Sequence, residues 1–292
     1  MLRPRPRRSR SFAVVVAATT AVAVLALAAC ASDDSPTAAA PSPGATGIAA
    51  LHLVHPGQLT VATDSPAYDP WFSNNDPTNG LGYESAVAYA VAGQLGFTKD
   101  QVKWVSEPFD KSFAPGAKNF DFDVNQISIT ADRKQAVDFS TGYYDVAQAI
   151  VALKSSKIAG AKSLADLKDA KLGAPVGTTS LDAITEKVRP TTPAAVFNDV
   201  NDAKSALENG QIDGIVVDLP TGFYLTAAEI DNSVIVGQFP STGTPEQFGL
   251  LFEKGNPLVK NVDTALAKLT ASGDLGTLQN RYLASAGAPV LQ

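Results

Sequence analysis

The stretch NQISITADRKQAVDFSTGYY, Asn125 to Tyr144, passes from two amides through Ser128-Ile129-Thr130 to Arg133 and ends on paired tyrosines. Upstream, FDVNQ at 122–126 reads as a strand. Thr130 is placed to cap a short helix over 131–137, which leaves backbone N–H groups facing outward at its start. Helix starts favour anions, and Arg133 in that first turn adds a planar fork matched to a carboxylate. Ser128 and Thr130 bring hydroxyls close by. The alternative is a solvated arginine between Asp132 and Lys134, and spacing alone does not separate the two.

Outward from this stretch, short apolar runs alternate with amphipathic ones, the pattern of an α/β protein. QLTVATD reads as a strand closing on Asp64. Tyr83, Val87, Val91 and Leu95 share a helical row that Gly96 is placed to end. VKWVS is a further strand and DVAQAIVAL a longer one. A second set follows: helices at SLADLKD, SLDAITEKV and DAKSALEN, with strands at KLGAP, GIVVD and QFGLLFE. Two helices, PLVKNVDTALAKLTAS and DLGTLQNRYL, close the chain. GAKNFDFDVNQ and ENGQIDGIVVD echo each other as helix end, apolar-Asp pair and strand, which two similarly wound lobes would produce. Ligands collect at the carboxyl ends of strands in such sheets. Asn125, Gln126, Ser128 and Asp218 fall at or just past such ends.

Asp218 follows Ile215-Val216-Val217, a run apolar enough to be buried on both faces. A carboxylate there needs a partner to offset its desolvation; a cap on a helix at Leu219-Pro220 is the alternative. A carboxylate-binding Arg133 in one lobe and an ammonium-binding Asp218 in the other would together hold a zwitterion, most commonly a free α-amino acid.

The front of the chain sets the compartment. Arg3, Arg5, Arg7, Arg8 and Arg10 precede the apolar run FAVVVAATTAVAVLALAA, which ends in small residues before Cys30, the only cysteine of the 292 residues. This is the form of a secretory signal, residues 1–29, and it resembles a lipoprotein signal in which Cys30 is lipidated. An uncleaved anchor is the alternative. Removing five arginines leaves 18 Lys+Arg against 29 Asp+Glu, a formal charge of −11. That surface repels nucleic acid and has no basic patch for anionic lipid, so the membrane link is the lipid alone. Residues 30–55 read as the lipidated N-terminus and a flexible tether, poor in large apolar groups. His52 and His55 lie at its end, so the folded body has neither His nor Cys. Ser-His-Asp and Cys-His catalysis and the usual zinc sets are thereby excluded, and no cofactor is expected.

SITADRKQAVDFSTGYY, the GTT at 177–179 and ALENGQIDGIVVD resemble, in order, the extracellular solute-binding proteins of family three, the polar amino-acid-binding proteins of bacterial ABC importers. TDSPAYDPWF resembles that family's first strand and ligand-covering loop. The resemblance runs from about Pro56 to Leu283. It implies a two-lobed periplasmic-binding fold of type II, with two chain crossovers and a ligand cleft between lobes: lobe 1 at 56–144 and 246–285, lobe 2 at 145–245, and a C-terminal tail at 286–292. It also implies that Arg133 binds the α-carboxylate with Ser128 and Thr178 or Thr179. Asp218 takes the α-amino group, and Tyr68 or Trp71, with Phe109, walls the side chain. The implied partners are the amino acid and the ABC permease subunits, with the protein a monomer. Three departures stand out: Asn125 and Gln126 replace small residues, Glu84 replaces the Asp after the Gly-aromatic pair, and the TDSPAYDPWF loop is one residue longer. For specificity, Asp64 could face the ligand side chain, and Asp69 and Glu107 could add negative potential, which suits a basic amino acid. The amides of Asn125 and Gln126 suit an uncharged polar one equally. A dehydratase-like enzyme and a sensing partner of a membrane receptor are alternatives on the same fold.

Overall fold

The computed structural model describes residues 46–241, 243–283 and 287–292. The predicted signal, Cys30 and the tether as far as residue 45 lie outside them. Ten strands form two five-stranded sheets. In chain order these are β1 (Leu59–Thr63), β2 (Val102–Ser106), β3 (Phe122–Asp123), β4 (Val137–Val146), β5 (Gln148–Leu153), β6 (Leu172–Pro175), β7 (Ala195–Phe197), β8 (Gly214–Asp218), β9 (Ser233–Gln238) and β10 (Glu246–Glu253). The first sheet has the order β2-β1-β3-β10-β4 and the second β7-β6-β8-β5-β9. β1 runs parallel to β2 and β3, while β10 runs antiparallel to β3 and β4. In the second sheet β6 runs parallel to β7 and β8, and β5 runs antiparallel to β8 and β9. The chain crosses between sheets at Ala147 and again between β9 and β10.

The helices are α1 (Tyr83–Leu95), α2 (Phe109–Ser112), α3 (Arg133–Ala136), α4 (Thr179–Asp182, continued as a π-helical segment to Val188), α5 (Val200–Glu208), α6 (Leu219–Tyr224), α7 (Val259–Ala271) and α8 (Asp274–Tyr282). Among the described residues no helix is long and apolar enough to cross a membrane. The row read on α1 is its buried face: Tyr83, Val87 and Val91 are inaccessible and pack with Val262, Leu266 and Leu269 of α7. Burial of each such side chain is worth about 1.5–3 kcal/mol. Gly96, at φ 96°, ends α1 as expected. Gly82 has a different reason to be glycine, because a Cβ there would lie 2.4 Å from the Trp71 carbonyl oxygen. That close approach lets the Trp71 carbonyl accept from the N–H groups of Glu84 and Ser85 at the start of α1, which fixes the loop after β1 over the cleft.

Four expectations need correction. The tether does not run to residue 55: Leu53 and Val54 are buried, Ile48 and Leu51 pack on the first core, and the Val54 N–H donates to Asp121. Scattered apolar residues in an Ala-rich stretch suffice once a core is there to receive them. DVAQAIVAL is not one strand, since β4 ends at Val146 and β5 starts at Gln148 in the other sheet. FDVNQ pairs only at Phe122–Asp123, and Gln126 leaves the strand conformation at φ 49°. The C-terminal residues are not a free tail: Val290 bridges Gln238 beside β9, and Leu291 is buried in the second lobe's core.

Candidate functional site

A cavity of about 330 Å³ lies between the two sheets, at the carboxyl ends of β1, β6 and β8. Nine of the eleven residues singled out from the sequence line it: Asp64, Tyr68, Trp71, Phe109, Asn125 and Gln126 from the first lobe, and Thr178, Thr179 and Asp218 from the second. Ser128 and Arg133 do not line it; they lie in the wall behind.

The helix expected over 131–137 is shorter, α3 running only Arg133–Ala136 with Asp132 at its N-cap and no side-chain cap bond, although the Thr130 Oγ1 accepts from the Arg133 N–H at 3.1 Å. The Arg133 side chain is not solvated. It is 9% exposed and lies 4.7 Å from the Phe113 ring centroid and 5.5 Å from that of Phe109. Its Nη1 donates to the Ser128 carbonyl at 2.7 Å and its Nη2 to the Gly177 carbonyl of the other lobe at 2.9 Å. Three of the five guanidinium N–H groups remain. Burial lowers its pKa, opposed by Asp182, Glu246 and Asp218.

Asp218 precedes α6 but makes no side-chain cap. Its Oδ1 instead accepts from the Gln148 Nε2 at 2.7 Å. Burial, reinforced by the charge of Glu246, pushes its carboxyl up to about 8. Gln148 is 2% exposed and also accepts from Ser180 Oγ at 2.5 Å, while its Nε2 lies 3.2 Å from Glu246 Oε1 and 3.3 Å from Thr179 Oγ1. Glu246 Oε1 accepts from Ser128 Oγ at 2.5 Å, and Ser128 Oγ lies 3.3 Å from Thr179 Oγ1. Thr178 caps α4 through the Leu181 N–H.

Trp71, 1% exposed, is edge-on to Tyr83, Tyr144 and Phe248, and its Nε1 donates across the cleft to Thr221 Oγ1 at 2.9 Å. Tyr68 accepts from the Asn201 amide of the second lobe at 3.2 Å. Asp64 accepts from the N–H groups of Ser65 and Phe109, and burial raises its pKa, as do Asp199 and Asp110. Those last two also line the cavity, so its acidic lining comprises Asp64, Asp110 and Asp199, with Asp218 largely protonated at neutral pH. Asp69 and Glu107 do not line it. No Lys or Arg is among the lining residues.

Gln148, Glu246, Ser180, Thr221 and Asp199 were not found in the sequence. A glutamine inside the apolar run VAQAIVAL was the one available signal, since a polar group in a buried strand requires a partner.

The chain belongs to the bacterial extracellular solute-binding proteins, family 3, whose family model matches residues 59–285. It is 27% identical over 246 residues to a probable histidine-binding protein of Neisseria gonorrhoeae, covering 82% of this chain and 88% of that one. It is 29% identical over 217 residues to an ABC transporter glutamine-binding protein of Bacillus subtilis, covering 73% and 77%. Among solved structures, an ancestral arginine-binding protein bound to glutamine superposes with a TM-score of 0.65 at 28% identity, covering 77% of this chain and 97% of that one. The type II two-lobed fold expected from the sequence is the observed one.

Proposed function

We propose that the protein is the substrate-binding component of an ABC importer and captures a free α-amino acid by closing its two lobes around it. One observation carries this reading: Asp218 of the second lobe lines a cavity between the sheets, and Arg133 of the first lobe, buried in the wall behind that cavity, donates across the cleft to the Gly177 carbonyl. The relatives' names, histidine-binding and glutamine-binding, support an amino acid. The ligand carboxylate is assigned to the free N–H groups of Arg133, to the Ser128 hydroxyl, for which it competes with Glu246, and to Thr178 or Thr179. The ammonium is assigned to Asp218. Tyr68, Trp71 and Phe109 wall the side chain. Because both lobes contribute polar groups, ligand favours the closed form, which the permease reads. No bond is made or broken.

Besides Asp218, assigned to the ammonium, three carboxylates (Asp64, Asp110 and Asp199) line the cavity and no Lys or Arg does, so a basic side chain is assigned ahead of a neutral polar one. A thermal-shift screen of the twenty amino acids, followed by calorimetry, tests this. Stabilisation by lysine, arginine or histidine above all others is expected, with the ligand recovered unchanged. No stabilisation by any of the twenty contradicts the reading, and a new product would make the protein an enzyme.

The signal at 1–29 and Cys30 support a lipoprotein held as a monomer on the outer face of the cell membrane. Cys30→Ala releases the protein into the soluble fraction with its fold intact. Persistence of the variant in washed membranes contradicts lipid anchoring.

A further inference from the structure

Two of the departures from the family pattern, Glu84 and Gln126, meet in the structure. Glu84 is inaccessible, and both of its carboxylate oxygens are used on Gln126: Oε1 accepts from the Gln126 backbone N–H at 2.7 Å, and Oε2 accepts from the Gln126 Nε2. The Tyr143 hydroxyl adds a third donor, also to Oε1. No cation pairs with Glu84 among the described residues, and its three donors only partly offset burial, which pushes its carboxyl up to about 7. An unneutralised acid is costly inside a protein, so this one is held for what it does to its neighbour.

Gln126 shows that effect. Its backbone lies in the left-handed region at φ 49°, a conformation that favours glycine, and Glu84 grips it there. An ionised carboxylate only accepts hydrogen bonds. The Gln126 amide must therefore turn its Nε2 to Glu84, which leaves Oε1 as its one polar side-chain atom without a partner among the described residues. Gln126 lines the cavity. An amide that could have offered the ligand either a donor or an acceptor is thus fixed as an acceptor.

We propose that Glu84 and Gln126 form one unit: Glu84 sets the polarity of the Gln126 amide, and the Gln126 Oε1 is a second acceptor, with Asp218, for the ammonium of the bound amino acid. The proposal rests on the amino-acid reading above. Glu84 accepts from Tyr143, whose neighbour Tyr144 packs on Trp71, and Trp71 bonds Thr221 three residues past Asp218, whereas Asp64 bonds Phe109, so the unit lies toward the ammonium end of the cavity. An ammonium has three donors, and Gln148 already occupies one oxygen of Asp218. A second acceptor completes the pole.

The test is calorimetry of the full folded protein at about pH 8, where Glu84 is ionised, with L-arginine, L-histidine and L-glutamine as probes. Gln126→Met keeps the side-chain length and removes the amide; affinity for every probe that binds should fall roughly tenfold or more. Glu84→Gln should weaken binding similarly, because an amide at position 84 no longer dictates which end of the Gln126 amide faces the cavity. The double exchange Glu84→Gln with Gln126→Glu keeps the pair bonded and turns a carboxylate oxygen to the ligand, so affinity should return to the starting value or exceed it. Thermal unfolding is followed in parallel. If Gln126→Met shifts the unfolding midpoint but leaves affinity unchanged, or the folded double variant stays weak, the unit is purely structural and the proposal is overturned. If the unaltered protein binds none of the probes, the amino-acid reading itself falls.

Discussion

Binding should be coupled to the release of a proton at Asp218. Its carboxyl is buried and titrates near 8, with burial and Glu246 raising it and the Gln148 hydrogen bond lowering it. An ammonium placed against it reverses the balance, since an adjacent opposite charge favours the ionised form. At pH 7 a group of pKa about 8 is roughly 90% protonated, so binding there releases on the order of 0.9 proton. Below that pKa the ligand must first displace the proton, and affinity should fall about tenfold per pH unit, or about 1.4 kcal/mol. From pH 8 to pH 6 the expected loss approaches two decades. Calorimetry in buffers of different ionisation enthalpy measures the proton count directly. Asp218→Asn should bind weakly and lose most of the pH dependence. Equal affinity at pH 6 and pH 8, with no buffer-dependent heat, would refute the assignment of Asp218 to the ammonium.

Without ligand, the same chemistry acts on stability. Glu84, Asp123 and Asp218 titrate near 7, 8 and 8 in the fold, above their ordinary values of 4.5 and 3.8. The native state therefore holds protons that the unfolded chain has already released between about pH 4 and 8, and stability falls as pH rises through that window; scanning calorimetry should give a lower unfolding temperature at pH 8.5 than at pH 6. Trp71→Phe keeps an aromatic ring in the cluster but removes the bond to Thr221 across the cleft. Losing that bond should cost about 0.5–1.5 kcal/mol of closure, seen as roughly two- to tenfold weaker binding with the fold retained. Asp64→Asn should lower affinity for a basic ligand by roughly tenfold or more while leaving a neutral ligand unaffected; unchanged affinity for the basic ligand would remove Asp64 from side-chain recognition.

For the two proposed poles the sequence offered local signals that left each open. Thr130 three residues before Arg133 fits a helix start but also a solvated arginine, and three apolar residues before Asp218 fit a buried strand end or a helix cap; burial of Arg133 and the lack of a cap at Asp218 separate these. What joins the poles was not legible. Gln148, Glu246 and Ser128 meet only after the chain has crossed between lobes twice, and no short-range spacing encodes that approach. The first crossing was placed near 144/145 only by the family resemblance, because apolar residues continue through Ala147 and period-two patterning does not mark a change of sheet. Gln126 was singled out as an amide, but its polarity is set by Glu84, 42 positions away. Asp110 and Asp199 supply the charge expected of Asp69 and Glu107 because the turn of α2 and the cap of α5 reach the cavity.

The central claim is that Arg133 and Asp218 grip the two ends of one α-amino acid. Titrating the best-stabilising amino acid into Arg133→Lys and Arg133→Ala tests it most directly. Lysine keeps the charge and loses the planar fork, so Arg133→Lys should bind at least about tenfold more weakly. Truncating one partner of a buried charged hydrogen bond costs about 2–5 kcal/mol, so Arg133→Ala should nearly abolish binding while the protein still folds. Near-native affinity in the folded alanine variant would contradict the account.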